Sequence, residues 1–304
     1  MSDANDAPSW GELTTEGRHP ETARLDRATT AEVAARILAE DRRGIERAEL
    51  CVAAIARAAD RVADSLAAGG ALVLAGAGTS GRLAVLEAAE CPPTFGTAPE
   101  RIRAVMAGGD EAVFRAREGA EDDERAGREA VADAGPDDVV LAISASSVTP
   151  FARGALAGGR DRGAATVLVT CTAAAGLERL ADVVVALDTG AEILTGSTRL
   201  KAGSATKAAL NAITTAAMVR LGKVYENLMV DLRRGSAKLR DRAGRIVEIA
   251  GRVPRAEAER LLAGAGGEVK TAVVMARLGV EAAEARRLVA AADGHLWRAL
   301  GEPG

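Results

Sequence analysis

The sequence is poor in aromatic residues and in histidine, and its cysteines are scattered. Aromatic side chains make up 2% of the 304 residues, which argues against a surface on which nucleic-acid bases stack. With only two histidines, His19 and His295, a histidine-based metal site is not expected. The cysteines stand far apart at positions 51, 91 and 171, a spacing typical of a reducing compartment without structural disulfides.

Long apolar runs and an excess of one charge are also missing. No apolar run approaches the ~20 residues of a membrane-spanning helix. The net charge is −4, and acidic and basic residues are interspersed, so no basic face for nucleic acid or an anionic membrane is indicated. The first 17 residues lack the pattern of a signal peptide. We therefore expect a cytoplasmic protein that binds neither nucleic acid nor a membrane.

Five short apolar runs rich in valine alternate with helical patterns in the first two thirds of the chain. The runs are ALVLAG (71–76), IRAVMAG (102–108), DVVLAIS (138–144), ATVLVT (165–170) and DVVVAL (182–187). Unbroken apolar strands that alternate with helices predict a parallel sheet covered on both faces. We predict an α/β fold with a doubly wound five-stranded parallel sheet, and ligands at the carboxyl ends of its strands.

Polarity and helical periodicity divide the chain into three predicted domains. Residues 1–28 are polar and predict an extended arm, and residues 29–252 contain the sheet with its flanking helices. Helical patterns cover 30–68 as one or two helices, 197–224 and 236–252. Residues 253–304 follow the break at Pro254 and show three short helical patterns, which predict a small helical domain.

A glycine-rich turn, GAGTSG (76–81), follows the first predicted strand and begins a helix. Backbone N–H groups at a helix N-terminus attract anions, and the hydroxyls of Thr79 and Ser80, beside Gly78, can add hydrogen bonds to phosphate. No GK[ST] follows, and no acidic residue ends the next strand, so neither a Walker loop nor a dinucleotide site is indicated. When this turn is considered alone, the alternative to phosphate binding is that its glycines only allow a tight bend.

A second cluster of hydroxyls, in ISASSVTP (143–150), follows the third strand and precedes a helix. Its members are Ser144, Ser146, Ser147 and Thr149. Two hydroxyl-rich turns on neighbouring strands predict a site for a phosphorylated small molecule without a metal. We expect at least one of these hydroxyls to cap the following helix instead.

Glu90 stands at the end of the helix that begins near Ser80. The following Pro92 and Pro93 predict that this helix stops, because proline lacks the backbone donor and clashes with the preceding turn. A carboxyl group that is partly buried at the negative end of a helix dipole is suited to general acid catalysis. Glu87, one turn earlier, is expected to be the solvated carboxylate of the pair.

Glu121 is the second candidate, because a helix is predicted to begin in this acidic segment after Gly119. A carboxylate in a first helical turn is stabilised as the anion, which suits a base. Two carboxylates in contrasting surroundings can supply an acid and a base to one reaction. Acidic first turns are also ordinary capping chemistry, and Asp122 and Asp123 share the position.

Several longer segments, in the expected order, resemble the N-acetylmuramic acid 6-phosphate etherases, a family with a sugar-isomerase (SIS) domain. The segments are AGAGTSGRLAVLEAAECPPTFG (75–96), TEGRHPETARLD (15–26), AGGDEAVFRAREGAEDD (107–123), TGAEILTGSTRLKAGSATKAALN (189–211) and GKVYENLMVDL (222–232). The resemblance implies a cytoplasmic, homodimeric lyase of amino sugar catabolism and peptidoglycan recycling, without metal or organic cofactor. It implies cleavage of the D-lactyl ether of N-acetylmuramic acid 6-phosphate, with Glu90 and Glu121 as the two catalytic residues, in either order of roles.

The resemblance also implies a third contribution to the site from TGSTRLK (195–201). This segment offers Ser197, Thr198, Arg199 and Lys201 at a predicted helix start, and Glu192 precedes them. In a dimer the segment is expected to complete the partner's site. The alternative is that Arg199 and Lys201 pair with acids on the surface.

The chain departs from the family at two turns. Family members commonly read ASGRTP where this chain has ASSVTP (145–150), so serine and valine replace glycine and arginine at 147 and 148. The family's Cys-Asn-Pro is here Cys171-Thr172-Ala173. Two alternatives to etherase activity stay open. One is a non-catalytic SIS sensor of sugar phosphates, related to the longer glucokinase regulatory proteins, and the other is a sugar phosphate isomerase on the same fold.

Overall fold

The computed structural model describes residue 11 and residues 13–303, and the chain forms two compact units. The first unit comprises Met1–Ala88 and Glu100–Ile213, and the second comprises Ala89–Pro99 and Thr214–Gly304. The division into domains at 1–28, 29–252 and 253–304 stays a prediction. Within the described residues no helix has the length and hydropathy needed to cross a membrane.

The first unit contains a five-stranded, fully parallel sheet, which confirms the predicted α/β fold. Its strands are β1 (Leu72–Gly76), β2 (Ile102–Met106), β3 (Val139–Ile143), β4 (Ala165–Thr170) and β5 (Val183–Ala186). Their order across the sheet is β2-β1-β3-β4-β5. The chain therefore passes from β2, on one side of β1, to β3 on its other side, so the strand order reverses at β1. Parallel α/β sheets bind ligands at the carboxyl ends of the strands beside such a reversal.

Helices cover this sheet on both faces. Those within the first unit are α1 (Thr30–Glu49), α2 (Val52–Ala68), α4 (Glu111–Phe114), α5 (Glu124–Ala130) and α6 (Pro150–Asp161). Two more, α3 (Gly78–Phe95) and α7 (Lys201–Arg220), begin in the first unit and end in the second. The connection between β4 and β5, residues 171–182, is not helical, although β1, β2 and β3 each lead to a helix.

The continuous apolar character of the strands is explained by burial on both sides. Every residue of β1 and β3 is buried. Val73 and Ala75 pack with Phe151 and Ala155 of α6, while the alternating Leu72 points to the opposite face. Each large apolar side chain removed from water contributes roughly 1.5–3 kcal/mol, so strands buried on two faces hold the sheet together.

The second unit is helical around a single core. It contains α8 (Ala237–Gly251), α9 (Arg255–Gly264), α10 (Val269–Leu278), α11 (Ala282–Ala291), the short α12 (Leu296–Ala299) and a hairpin of β6 (Val224–Tyr225) and β7 (Leu228–Met229). Val247 of α8 shares this core with Leu262, Val273 and Leu296. The residues after 252 thus form four helices rather than the three predicted, and they pack with α8 in one body.

Candidate active site

A cavity of about 330 Å³ opens in the first unit, beyond the carboxyl ends of β1 and β3. Its wall includes residues 77–80 after β1 and residues 145, 146, 149 and 150 after β3. It also includes residues of the segment 196–206, Glu121 and Asp122, and two residues of the N-terminal arm, Thr15 and Glu16. The volume suits a small molecule, and the position is the one expected for ligands of a parallel α/β sheet.

The turn between β1 and α3 depends on glycine for close packing. A Cβ atom on Gly81 would lie 2.8 Å from the carbonyl oxygen of Gly76 and 2.7 Å from Cγ of Met106. Gly78 has a φ of +54°, a conformation that glycine adopts without steric cost. Thr79 and Ser80 lie in the first turn of α3, where backbone N–H groups have no helical partner and attract anions.

The second hydroxyl-rich turn divides between the cavity wall and the interior. Ser146 and Thr149 line the cavity, whereas Ser144 and Ser147 are buried beneath it. The Ser144 hydroxyl donates to Oγ1 of Thr149 at 2.9 Å. Thr149 is the N-cap residue of α6, but its side chain makes no capping hydrogen bond. The cap expected here is thus not made by Thr149, and its side chain stays at the cavity wall.

Ser147 occupies the position at which family members commonly carry glycine, and its backbone is left-handed, with a φ of +63°. For a residue with a Cβ atom this conformation costs roughly 1–2 kcal/mol. The buried Ser147 side chain accepts a hydrogen bond from the Thr172 hydroxyl at 3.3 Å. Serine therefore stands in a turn whose backbone favours glycine, and its hydroxyl bonds to Thr172.

We expect the Ser147→Gly variant to be more stable than the Ser147→Ala variant by about 1 kcal/mol. Both variants lose the hydroxyl, and only glycine adopts a positive φ without steric cost. Urea unfolding measures the difference. Ser146, whose φ is not positive, is the matched control, because there alanine should be the more stable residue by about 0.5–1 kcal/mol. Equal stability of the two variants at 147 would contradict backbone strain at this turn.

A residue of the segment before α7 accepts hydrogen bonds from the first backbone N–H groups of that helix. Glu192 is fully buried, and its carboxylate accepts from the backbone N–H groups of Lys201 and Ala202 at 3.1 and 2.8 Å. Burial raises the pKa of Glu192. The Nζ atom of the buried Lys201 lies 2.7 Å from Oε2 of Glu40. Glu192 and Lys201 therefore stabilise the start of α7 and do not line the cavity. The neighbouring Thr198 does line it.

Ser197 and Arg199 are likewise outside this cavity wall. The backbone N–H of Ser197 donates to the Leu194 carbonyl at 2.9 Å, and the side chain of Arg199 is exposed. Lys201 does pair with an acid, but the pair is buried rather than on the surface as the alternative prediction held. A role for these residues in a partner subunit's site stays a prediction.

Glu121 lines the cavity, but the prediction that it lies in the first turn of an α-helix is wrong. It lies in a short 3-10 turn, Ala120–Asp122, which follows Gly119 with a φ of +72°. The helix α5 begins only at Glu124, and the Asp123 carboxylate caps it by accepting from the Ala126 N–H at 2.8 Å. The capping role thus belongs to Asp123, which leaves Glu121 exposed at the cavity.

The predicted environments of Glu87 and Glu90 are reversed in the structure. The helix α3 continues past Pro92 and Pro93 to Phe95 rather than stopping at Glu90. Glu87 is 5% exposed, and its Oε2 atom lies 3.0 Å from Nζ of Lys207, whereas Glu90 is exposed. Glu90 belongs to the second unit. The cavity in the first unit therefore contains one of the two predicted catalytic glutamates.

Sequence reasoning missed several residues of the cavity wall, namely Thr15, Glu16, Leu83, Asp122, Gly203 and Thr206. Thr15 and Glu16 open the segment TEGRHPETARLD, which was matched to the family as an arm without a role at the site. Leu83 lies one turn after Ser80 on α3, and Thr206 lies on α7 beyond the TGSTRLK segment. For Leu83, which stands three residues after Ser80, helical spacing was the signal that could have identified it.

Comparison with known proteins places this chain in a family. The family profile of the glucokinase regulatory protein N-terminal SIS domain matches residues 54–159. The chain is 49% identical to an N-acetylmuramic acid 6-phosphate etherase of Rubrobacter xylanophilus, across 96% of this chain and 97% of that protein. It is 49% identical to the etherase of Deinococcus radiodurans, across 95% of each chain. Its identity to the etherase of Streptomyces avermitilis is 47%, across 95% of this chain and 93% of that one.

The profile match and the parallel sheet confirm the predicted SIS fold. Identity near one half over almost the whole length of the relatives extends the likeness beyond the sheet to the arm and the helical second unit. The chain therefore belongs to the N-acetylmuramic acid 6-phosphate etherase family.

Proposed function

We propose that this protein cleaves the D-lactyl ether of N-acetylmuramic acid 6-phosphate with water, giving N-acetylglucosamine 6-phosphate and D-lactate. The observation that carries the proposal is the composition of one cavity in a member of this family. The N-terminal turn of α3, the turn that contains Ser146 and Thr149, and the carboxylate of Glu121 all line it. Hydrogen-bond donors for a phosphate and a carboxylate that can accept a proton therefore line the same cavity.

The 6-phosphate is proposed to bind at the start of α3. The free N–H groups of this helix turn and the hydroxyls of Thr79 and Ser80 supply donors, and the helix dipole favours a negative charge. Ser146 and Thr149 add hydroxyls from the neighbouring strand end. The tight packing of Gly76 against Gly81 fixes this turn on the sheet, so the phosphate would anchor the sugar at a defined position.

The chemistry follows from the open-chain form of the sugar. Its aldehyde at C1 makes the proton on C2 acidic enough for a carboxylate to remove. The bond between C3 and the ether oxygen then breaks, and lactate leaves with that oxygen once it is protonated. Water adds to C3 of the unsaturated aldehyde, and C2 is reprotonated. The sum is the uptake of one water molecule.

Two carboxyl groups are proposed to move these protons. Glu121, at the cavity wall, would remove and return the C2 proton. The family resemblance, and not the cavity, is the basis for proposing that Glu90 protonates the departing lactate oxygen and activates the incoming water. The opposite assignment of the two residues is the alternative. Proton transfer of this kind is typically worth ~10²–10⁴-fold in rate for each role.

We further propose that the protein is a cytoplasmic homodimer that acts in the recycling of cell-wall amino sugars without a metal or organic cofactor. The reaction as written consumes only water and transfers no electrons to another molecule. The homodimer follows from the family resemblance. The recycling role follows from the substrate.

A sugar-phosphate sensor is the second candidate, because the profile that matches residues 54–159 is that of a regulatory protein's SIS domain. The replacement of glycine and arginine at 147 and 148, in a turn at the cavity, also favours altered activity. Binding of the same phosphorylated sugar is common to both candidates, so affinity alone does not distinguish them.

Incubation with N-acetylmuramic acid 6-phosphate, followed by an enzymatic assay of D-lactate, tests the proposal. We expect stoichiometric release of D-lactate and N-acetylglucosamine 6-phosphate. Tight binding of the substrate without release of lactate would overturn the etherase proposal in favour of the sensor. An isomerised sugar with its lactyl group intact would indicate an isomerase instead.

A further inference from the structure

Thr15, in the N-terminal arm, has a buried hydroxyl that finds no hydrogen-bond partner in the part of the chain that the structure describes. The residue is 0% exposed and lies in a short 3-10 turn, Thr14–Glu16. It also lines the cavity of the first unit. A buried polar group without a partner destabilises a protein, so such a group at a cavity wall is explained when a ligand supplies the missing hydrogen bond.

The neighbouring Glu16 brings a carboxylate to the same wall. Its Oε2 atom lies 2.9 Å from the point where a Cβ atom on Gly196 would stand, and both residues line the cavity. Gly196, with a φ of +75°, thus leaves room for the carboxylate to approach the backbone. A carboxylate accepts hydrogen bonds from sugar hydroxyls but repels a phosphate. Glu16 is therefore suited to the sugar and not to the anion.

The arm is held in place by contacts behind the cavity. The Thr22 hydroxyl donates to the Ile193 carbonyl at 2.9 Å. Nε2 of the buried His19 lies 3.4 Å from Oε2 of Glu40, the carboxylate that also accepts from Lys201 at 2.7 Å. Each of these residues belongs to the first unit. Because the arm is fixed to the start of α7 by a buried network of polar contacts, it can present Thr15 and Glu16 at defined positions.

We propose that Thr15 and Glu16 bind the sugar portion of the phosphorylated ligand. The Thr15 hydroxyl would hydrogen-bond a polar atom of the sugar, and the Glu16 carboxylate would accept from a sugar hydroxyl. The inference rests on the proposed function only in taking a sugar phosphate as the ligand, and not on cleavage of that ligand. Through these two contacts, the arm would give the protein a higher affinity for a sugar phosphate than for phosphate alone.

Calorimetric titration of N-acetylglucosamine 6-phosphate and of inorganic phosphate tests this inference in Thr15→Val and Glu16→Gln variants. We expect the Kd for the sugar phosphate to rise about 5–10-fold for Thr15→Val and at least about 10-fold for Glu16→Gln. The Kd for inorganic phosphate should stay within about twofold, since neither residue contacts the phosphate. Thr15→Ser, which keeps the hydroxyl, should bind the sugar phosphate as the natural protein does.

Two exposed residues of the same arm provide matched controls. Thr14→Val and Glu21→Gln make the same chemical changes at positions outside the cavity wall, and both should leave the two affinities unchanged within about twofold. The melting temperature of free Thr15→Val should not fall, because the valine removes an unpaired buried hydroxyl. A purely structural role of Thr15 predicts a lower melting temperature and an equal loss of both ligands.

Three outcomes would overturn the inference. They are equal weakening of both ligands in the two cavity variants, unchanged affinity for the sugar phosphate in both, and a natural protein that binds phosphate but no sugar phosphate. Failure of the etherase proposal looks different. In that case the natural protein binds the sugar phosphate and loses affinity in the arm variants, but releases no D-lactate.

Discussion

The Glu90→Gln variant is expected to release D-lactate about 10²–10⁴-fold more slowly than the natural protein, with its fold unchanged. Glutamine has nearly the same shape but can neither donate a proton to the departing oxygen nor accept one from water. Because Glu90 is exposed, the substitution removes no buried ion pair, and the melting temperature should stay within about one degree. Single-turnover kinetics with N-acetylmuramic acid 6-phosphate measure the effect on the chemical step.

Glu87→Gln is the matched control, because it makes the same change one turn earlier on the same helix. Glu87 is buried against Lys207, so its neutralisation leaves a lysine without its charged partner and should lower the free energy of unfolding by about 1–3 kcal/mol. Lactate release by the folded Glu87→Gln protein should stay within about tenfold of normal. Near-normal turnover by Glu90→Gln would remove Glu90 from the mechanism, and a larger rate loss in Glu87→Gln would exchange their roles.

The sheet could be predicted from the sequence because its signal is local. Each strand is a short apolar run. The observed limits of β4 coincide with the predicted run, those of β1, β3 and β5 lie within one residue of it, and β2 ends two residues earlier. Burial on both faces requires such runs, so composition alone distinguishes these strands from the helices between them. The glycines of GAGTSG were equally visible, since the contact of Gly76 with Gly81 joins residues five positions apart.

The environment of a charged side chain was not predictable, because it depends on residues far along the chain. Glu87 is buried because α7 brings Lys207 to it from 120 positions away. No local pattern around Glu87 and Glu90 contained that information. The rule that prolines stop a helix also failed here, since α3 includes both Pro92 and Pro93 in its last turn.

The N-terminal arm illustrates the same limit at the site. The segment from Thr15 onwards reads as polar and irregular, and its sequence gives no sign that one threonine is fully buried. The contacts that fix it join Thr22 to Ile193 and His19 to Glu40, across 171 and 21 positions respectively. Only the resemblance to a family marked this arm as more than a tail, and it did not indicate a role at the cavity.

Removal of the phosphate from the substrate is the second change for which we expect a large effect. Charged hydrogen bonds contribute roughly 1.5–3 kcal/mol each, so the loss of two at the turn containing Thr79 and Ser80 corresponds to about 10²–10⁴-fold in kcat/KM. The loss in kcat/KM should exceed the loss in substrate affinity. A sugar without its anchor no longer holds C2 and C3 in line with the catalytic groups, so kcat should fall together with the affinity.

Ser80→Ala separates anchoring from other causes of this preference. The variant keeps the backbone N–H groups of the first turn of α3 and loses one hydroxyl, so it should release lactate more slowly from the phosphorylated sugar only. Its slow rate with unphosphorylated N-acetylmuramic acid should equal that of the natural protein. An equal loss with both sugars would indicate damage to the fold rather than to phosphate binding.

The most direct test of this account is therefore a comparison of initial rates of D-lactate release by the natural protein from N-acetylmuramic acid 6-phosphate and from N-acetylmuramic acid. We expect the phosphorylated sugar to be cleaved with a kcat/KM at least about 10²-fold higher. Equal rates from the two sugars, or no lactate from either, would contradict it.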